Sequence, residues 1–163
     1  LALGYWRQTK LPVVIGRFFN VVGPRQTGAY GMVLPRFVEA ALAGRPLQVH
    51  DDGAQTRCFA HVDDVVGAVI DLTEHAETAG EIFNIGSDQP ISILELAQEV
   101  IARTKSSGSI EFQSYHEAYD KDFEDIRKRV PDLTKIKRTL KYAPKYTLGE
   151  IIDDVAAQQK STP

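Results

Sequence analysis

Apolar positions along this chain alternate between two rhythms, and the alternation predicts its elements. Val13, Val14, Ile15, Phe18 and Phe19 form a nearly continuous β-branched and aromatic run. Such a run predicts a strand covered on both faces in a parallel sheet. Val33, Leu34, Phe37, Val38, Ala41 and Leu42 recur at helical spacing, predicting a helix over Met32–Ala43 that stops at Gly44. Pro46–His50 predicts a short strand closed by the Asp51-Asp52-Gly53 turn, and Arg57–Val62 another strand. Asp63 is placed to cap a helix that turns Val65, Val66, Ala68, Val69 and Leu72 inward. Glu81–Gly86 again has the pattern of a buried strand.

Ser92-Ile93-Leu94-Glu95 is a capping box, opening a helix with Leu94, Ala97, Val100 and Ile101 on one face. Ile110–Gln113 predicts a strand, and Tyr115–Lys128 is charged and irregular. Asp132 or Thr134 can cap a helix through Ile136 and Leu140. A second capping box, Thr147–Glu150, precedes Ile151, Ile152 and Val155, and Gln158–Pro163 is expected to fray. Leu1–Thr9 has the character of a helix tail, and Asn20–Gly31 of a long loop, a common seat of function. Strands alternating with helices define an α/β chain.

Composition narrows the function without naming it. With 43% hydrophobic and 25% charged residues, the chain has the make-up of a soluble globular domain. A net charge of −3 gives no general reason to bind nucleic acid or anionic lipid. Any anion site must therefore come from a few local cations. Cys58 is the single cysteine, which excludes an internal disulfide and points to a reducing, cytoplasmic setting. No apolar run is long enough to span a membrane, and the four histidines lack metal-ligand spacing. The chain opens at Leu1 with no methionine and no nucleotide-binding glycine loop, so it is expected to be part of a larger protein.

Three segments carry candidate chemistry: Arg17–Asn20, Arg57–Asp64 and Arg129–Asp132. Each sets a cation or amide beside an apolar strand or turn, an arrangement suited to a phosphate-bearing ligand. Asn20 ends a buried strand at its carboxyl edge, where open α/β sheets place ligands; as a loop asparagine it could instead satisfy its own turn. Arg57 offers a planar fork for phosphate oxygens, or a salt bridge to Asp51, Asp52 or Asp63. Arg129 has the same potential, but Arg127 and Lys128 compete with it in what could be a merely solvated run. Asp63 and Asp64 resemble paired carboxylates, yet capping accounts for at least one, so no acid/base role is assigned to them.

These segments, with Gly44-Arg45-Pro46-Leu47, Phe83-Asn84-Ile85-Gly86 and Arg129–Lys135, resemble the extended short-chain dehydrogenases. Those enzymes are NAD-dependent sugar-nucleotide epimerases and dehydratases, and the likeness is greatest to UDP-glucose 4-epimerases and UDP-glucuronate decarboxylases. The resemblance covers nearly the whole chain in order and implies the C-terminal part of such a fold. Residues 1–24 would end the NAD-binding Rossmann domain, residues 25–163 would form a small α/β substrate-binding region, and residues 81–86 would return to the Rossmann sheet. It further implies diphosphate or sugar contacts from Asn20, Arg57 and Arg129, and nucleobase contacts near Val33, Leu34 and Val49. Phe18 and Phe19 would face the nicotinamide; as isolated aromatics they fit the core.

The glycine-rich fingerprint and the Tyr-x-x-x-Lys of the family are absent, so no catalytic residue is assigned. The expected partners are a UDP- or TDP-sugar, a missing N-terminal NAD-binding domain and further copies of the chain. The activity implied for the parent protein is oxidation at C4 to a 4-keto sugar, with the chain alone inert. Two other readings stay open: a non-catalytic dinucleotide-sensing module, and a reductase whose substrate has no nucleotide handle.

Overall fold

The structure is a computed structural model that describes residues 1–26, 28, 32–114 and 126–161. Helix α1 (Ala2–Thr9) leads to β1 (Ile15–Phe18), β2 (Val21–Val22), α2 (Val33–Leu42), β3 (Leu47–His50), β4 (Thr56–Cys58) and β5 (Ala60–His61). Then follow α3 (Val62–Glu74), β6 (Ile82–Ile85), β7 (Pro90–Ser92), α4 (Ile93–Thr104), β8 (Ile110–Gln113), β9 (Lys128–Arg129), α5 (Thr134–Leu140) and α6 (Leu148–Ser161).

The strands form small, mostly parallel sheets. β1 pairs with β6 (Ile15 opposite Ile82), β2 with β5 and β3 with β8, all parallel. β4 runs between antiparallel β7 and parallel β9. Parallel neighbours need long crossovers, and here the β1–β6 crossover carries most of the cleft lining, with Ile93 and Arg129 added from later in the chain.

Two apolar cores hold these sheets. The larger joins Leu34, Phe37 and Val38 of α2 to Leu47 and Val49 of β3, Leu96 and Val100 of α4, and Ile151, Ile152 and Val155 of α6. The second packs Val65, Ala68 and Leu72 of α3 on Phe83 and Ile85 of β6, with Leu133 and Ile136 closing it. Both predicted capping boxes form. Ser92 Oγ accepts from Glu95 N at 3.1 Å, and Thr147 Oγ1 from Glu150 N at 3.3 Å. Hydrogen bonds from the hydroxyl and amide of each cap hold the two glutamates below the usual carboxylate range.

Several local expectations are corrected. Gly16, Arg17 and Phe18 of β1 are exposed rather than covered on both faces, because among the described residues β1 is flanked only by β6. The cap of α3 is His61, whose Nδ1 accepts from Asp63 N at 3.2 Å; Asp63 stands two positions too late. Of the apolar positions expected inward on α3, Val65, Ala68 and Leu72 are buried, while Val66 and Val69 stay exposed. Residues 158–161 continue α6 instead of fraying, whereas 162–163 lie outside the described residues. The irregular stretch expected over Tyr115–Lys128 also lies mostly outside them. Strands β2 and β7 are too short to leave a periodicity, and neither is predicted.

Candidate functional site

At the end of β1 the chain kinks through Asn20, whose φ of 40° lies in the left-handed region that asparagine tolerates. The kink lets Asn20 Nδ2 donate to Cys58 O at 2.8 Å while Asn20 O accepts from Ala60 N at 3.2 Å. Two bonds therefore tie the carboxyl edge of β1 to the β4–β5 segment. The Cys58 side chain is fully buried, and burial, reinforced by the charge of Asp88, pushes its thiol up to about 11. A protonated, inaccessible thiol is no nucleophile.

Arg57 sits in the middle of β4, directly opposite Arg129 of β9 in the parallel register. Its Nη1 donates to Thr56 O at 2.9 Å and to Ile126 O at 2.7 Å, which anchors the guanidinium to the backbone. Arg129 makes no ion pair among the described residues; its guanidinium lies over the Phe19 ring, 5.4 Å from the centroid. Like charges facing each other on adjacent strands repel. The pairing sets two guanidinium-bearing side chains at one register position, where an anion can meet both. Of the neighbouring cations, Arg127 turns instead to Asp52, at 3.6 Å.

Asn20, Arg57 and Arg129 line one cavity of about 440 Å³. To the same lining α2 contributes Val33 and Leu34, and β3 contributes Gln48 and His50. The volume falls within the range of small-molecule and cofactor sites. The two side chains on which the sequence argument most depends, Asn20 and Arg57, share this cleft.

Val49 does not line it. Strand alternation turns Leu47 and Val49 into the larger core, both fully buried, and leaves Gln48 and His50 on the cleft face. The alternation was legible beforehand as apolar Leu47 and Val49 flanking polar Gln48, and it marks the polar pair as the wall residues. Phe18 and Phe19 also lie outside the cleft lining. Phe19 supports Arg129, and Phe18 is 53% exposed at the end of β1.

The chain superposes on Pal from Bacillus thuringiensis with a TM-score of 0.86 and 32% identity, over 98% of this chain and 49% of that one. It superposes on UDP-glucuronic acid 4-epimerase from Bacillus cereus, solved with UDP-glucuronic acid and NAD, with a TM-score of 0.84 and 26% identity. That match covers 96% of this chain and 48% of the epimerase. Parallel strands and these neighbours define an α/β chain with the extended short-chain dehydrogenase form of the Rossmann fold. The chain belongs to the NAD dependent epimerase/dehydratase family, whose pattern it matches over residues 1–86. In sequence it is 46% identical over 145 residues to a UDP-N-acetyl-alpha-D-glucosaminuronate decarboxylase of Bacillus cytotoxicus. That alignment covers 88% of this chain and 44% of the relative, so the chain spans about half the length of the proteins it matches. Among the described residues no helix is long and apolar enough to cross a membrane.

Proposed function

We propose that this chain is the substrate-side half of an NAD-dependent sugar-nucleotide epimerase, dehydratase or decarboxylase, and that its cleft holds the diphosphate of a UDP- or TDP-sugar. One observation carries the reading: Arg57 and Arg129 stand side by side on neighbouring strands and open into one cleft. A diphosphate placed between them can accept charge-assisted hydrogen bonds from both guanidinium groups. Asn20 has one amide hydrogen committed to Cys58 O, so its Oδ1 and remaining N–H serve the ligand. Fixing the diphosphate fixes the attached sugar relative to the carboxyl edge of β1, where family members bring cofactor and substrate together.

Phe18 is the residue that fits NAD. Its exposed ring at the end of β1 can cover a nicotinamide face, whereas Phe19 is already taken by Arg129. When bound, NAD accepts and returns the hydride that a 4-keto sugar intermediate requires. The sequence has no Tyr-x-x-x-Lys to move the hydroxyl proton, so the isolated chain is expected to bind without turnover.

Calorimetric titration with UDP tests the clamp. Arg57→Ala is expected to weaken binding by about 10- to 100-fold, the worth of a charge-assisted contact. Arg129→Ala should fall in the same range, and incubation of the unmodified chain with NAD and UDP-glucuronic acid should yield no product. Equal UDP affinity in the unmodified chain and Arg57→Ala rejects the diphosphate clamp. The same reading gives the exposed edge of β1 a covering partner, either the N-terminal NAD-binding half or a second copy. In the absence of that half, light scattering at high concentration should therefore report self-association, and a strictly monomeric profile would count against it.

A further inference from the structure

Gln48 makes a side-chain contact that fixes which of its two polar atoms the cleft can use. In the β3–β8 register it lies directly opposite Glu111, and its Nε2 donates to Glu111 Oε2 at 2.8 Å. A carboxylate can only accept here, so the amide nitrogen must face Glu111 and the orientation of the side chain is settled by its partner. Oε1 is then the end left for the cleft that Gln48 lines. The cleft lining therefore includes a pre-oriented acceptor on a paired strand, a firmer mount than a loop.

Resting on the diphosphate reading above, we infer that Gln48 is a specificity residue that accepts a hydrogen bond from the ring N–H of the nucleobase. Uracil and thymine carry a donor at N3, whereas cytosine has an acceptor there. An oriented carbonyl attracts the first two and faces a lone pair in the third. A site whose polar group is left facing a mismatched atom rejects the wrong ligand through that unpaired group. Glu111 is a positioning residue, acting through Gln48.

The chain is titrated calorimetrically with UDP, TDP and CDP. UDP and TDP are expected to bind about 10-fold more tightly than CDP. Gln48→Leu should erase that ratio through loss of UDP and TDP affinity, with CDP little changed and the melting temperature preserved. Glu111→Gln offers a partner that can either donate or accept, so it lets the Gln48 amide turn over and should lower the ratio without truncating the side chain. UDP binding that falls in Arg57→Ala, while the UDP-to-CDP ratio is unchanged in Gln48→Leu, overturns this inference and leaves the diphosphate reading standing. No UDP binding at all overturns both.

Discussion

Asp64→Ala is expected to lower the unfolding free energy by about 3 kcal/mol, because two backbone N–H groups lose the acceptor they have among the described residues. Asp64 is 8% exposed and takes Lys145 N on both carboxylate oxygens at 3.0 Å and Tyr146 N on Oδ2 at 3.2 Å. No element of regular structure provides for these amides, since 141–147 is an irregular link between α5 and α6. The carboxylate supplies what a sheet or helix would have given. For a chain of this length the cost corresponds to a fall in melting temperature of roughly 6–12 °C.

Asp64→Asn separates shape from charge: it keeps an acceptor oxygen, so its loss should be smaller than that of the alanine variant. Tyr142 gives an independent readout. Its hydroxyl donates to Gly86 O at 2.9 Å and is pushed up to about 12, chiefly by burial and then by the charges of Asp64 and Asp88. Removing the Asp64 charge should let the phenol titrate at lower pH, visible in the ultraviolet. Thermal and urea denaturation that differ from the unmodified chain by less than about 1 kcal/mol would show that the link is held by other contacts.

What the sequence revealed and what it hid follow from the range of the interactions concerned. Helices α2, α4 and α6 and strands β1, β3 and β6 were legible because their signals are local: apolar spacing, two capping boxes and β-branched runs. The cap of α3 was misplaced because histidine is an uncommon cap, and only geometry shows that the Nδ1 of His61 reaches Asp63 N. Asp64 looked like half of a carboxylate pair, but its partners lie 81 and 82 residues away in sequence. No local pattern signals such contacts.

The cleft divides the same way. Asn20, Arg57 and Arg129 could be named from residue chemistry and family likeness, yet their meeting depends on a β4–β9 pairing that spans residues 56–129. That pairing also separates the cations of 127–129 in space. Two-residue β9 sets Arg129 against Arg57, and Arg127, outside the strand, is drawn to Asp52. Val49 lies one step off the cleft lining. The family likeness located the strand, and period-two alternation then put its neighbours, not Val49, in the wall.

Leu34 is where stability and ligand binding meet, and its truncation is expected to cost both. The side chain is fully buried in the larger core, yet Leu34 also belongs to the cleft wall from the first turn of α2. Leu34→Ala should destabilise the chain by about 2–5 kcal/mol, the transfer loss plus the cavity left among Phe37, Val38 and their neighbours. Collapse of the wall into that cavity would pull α2 away from the ligand, so UDP affinity should fall as well, mainly through faster dissociation. Val49→Ala is the matched control: Val49 is equally buried in the same core but faces away from the cleft. It should lower the melting temperature while leaving UDP affinity close to that of the unmodified chain. Chemical denaturation and titration on the two variants give four numbers. If Val49→Ala weakens UDP binding and Leu34→Ala does not, the wall formed by α2 is not the one the ligand touches, and the nucleoside must lie elsewhere in the cleft.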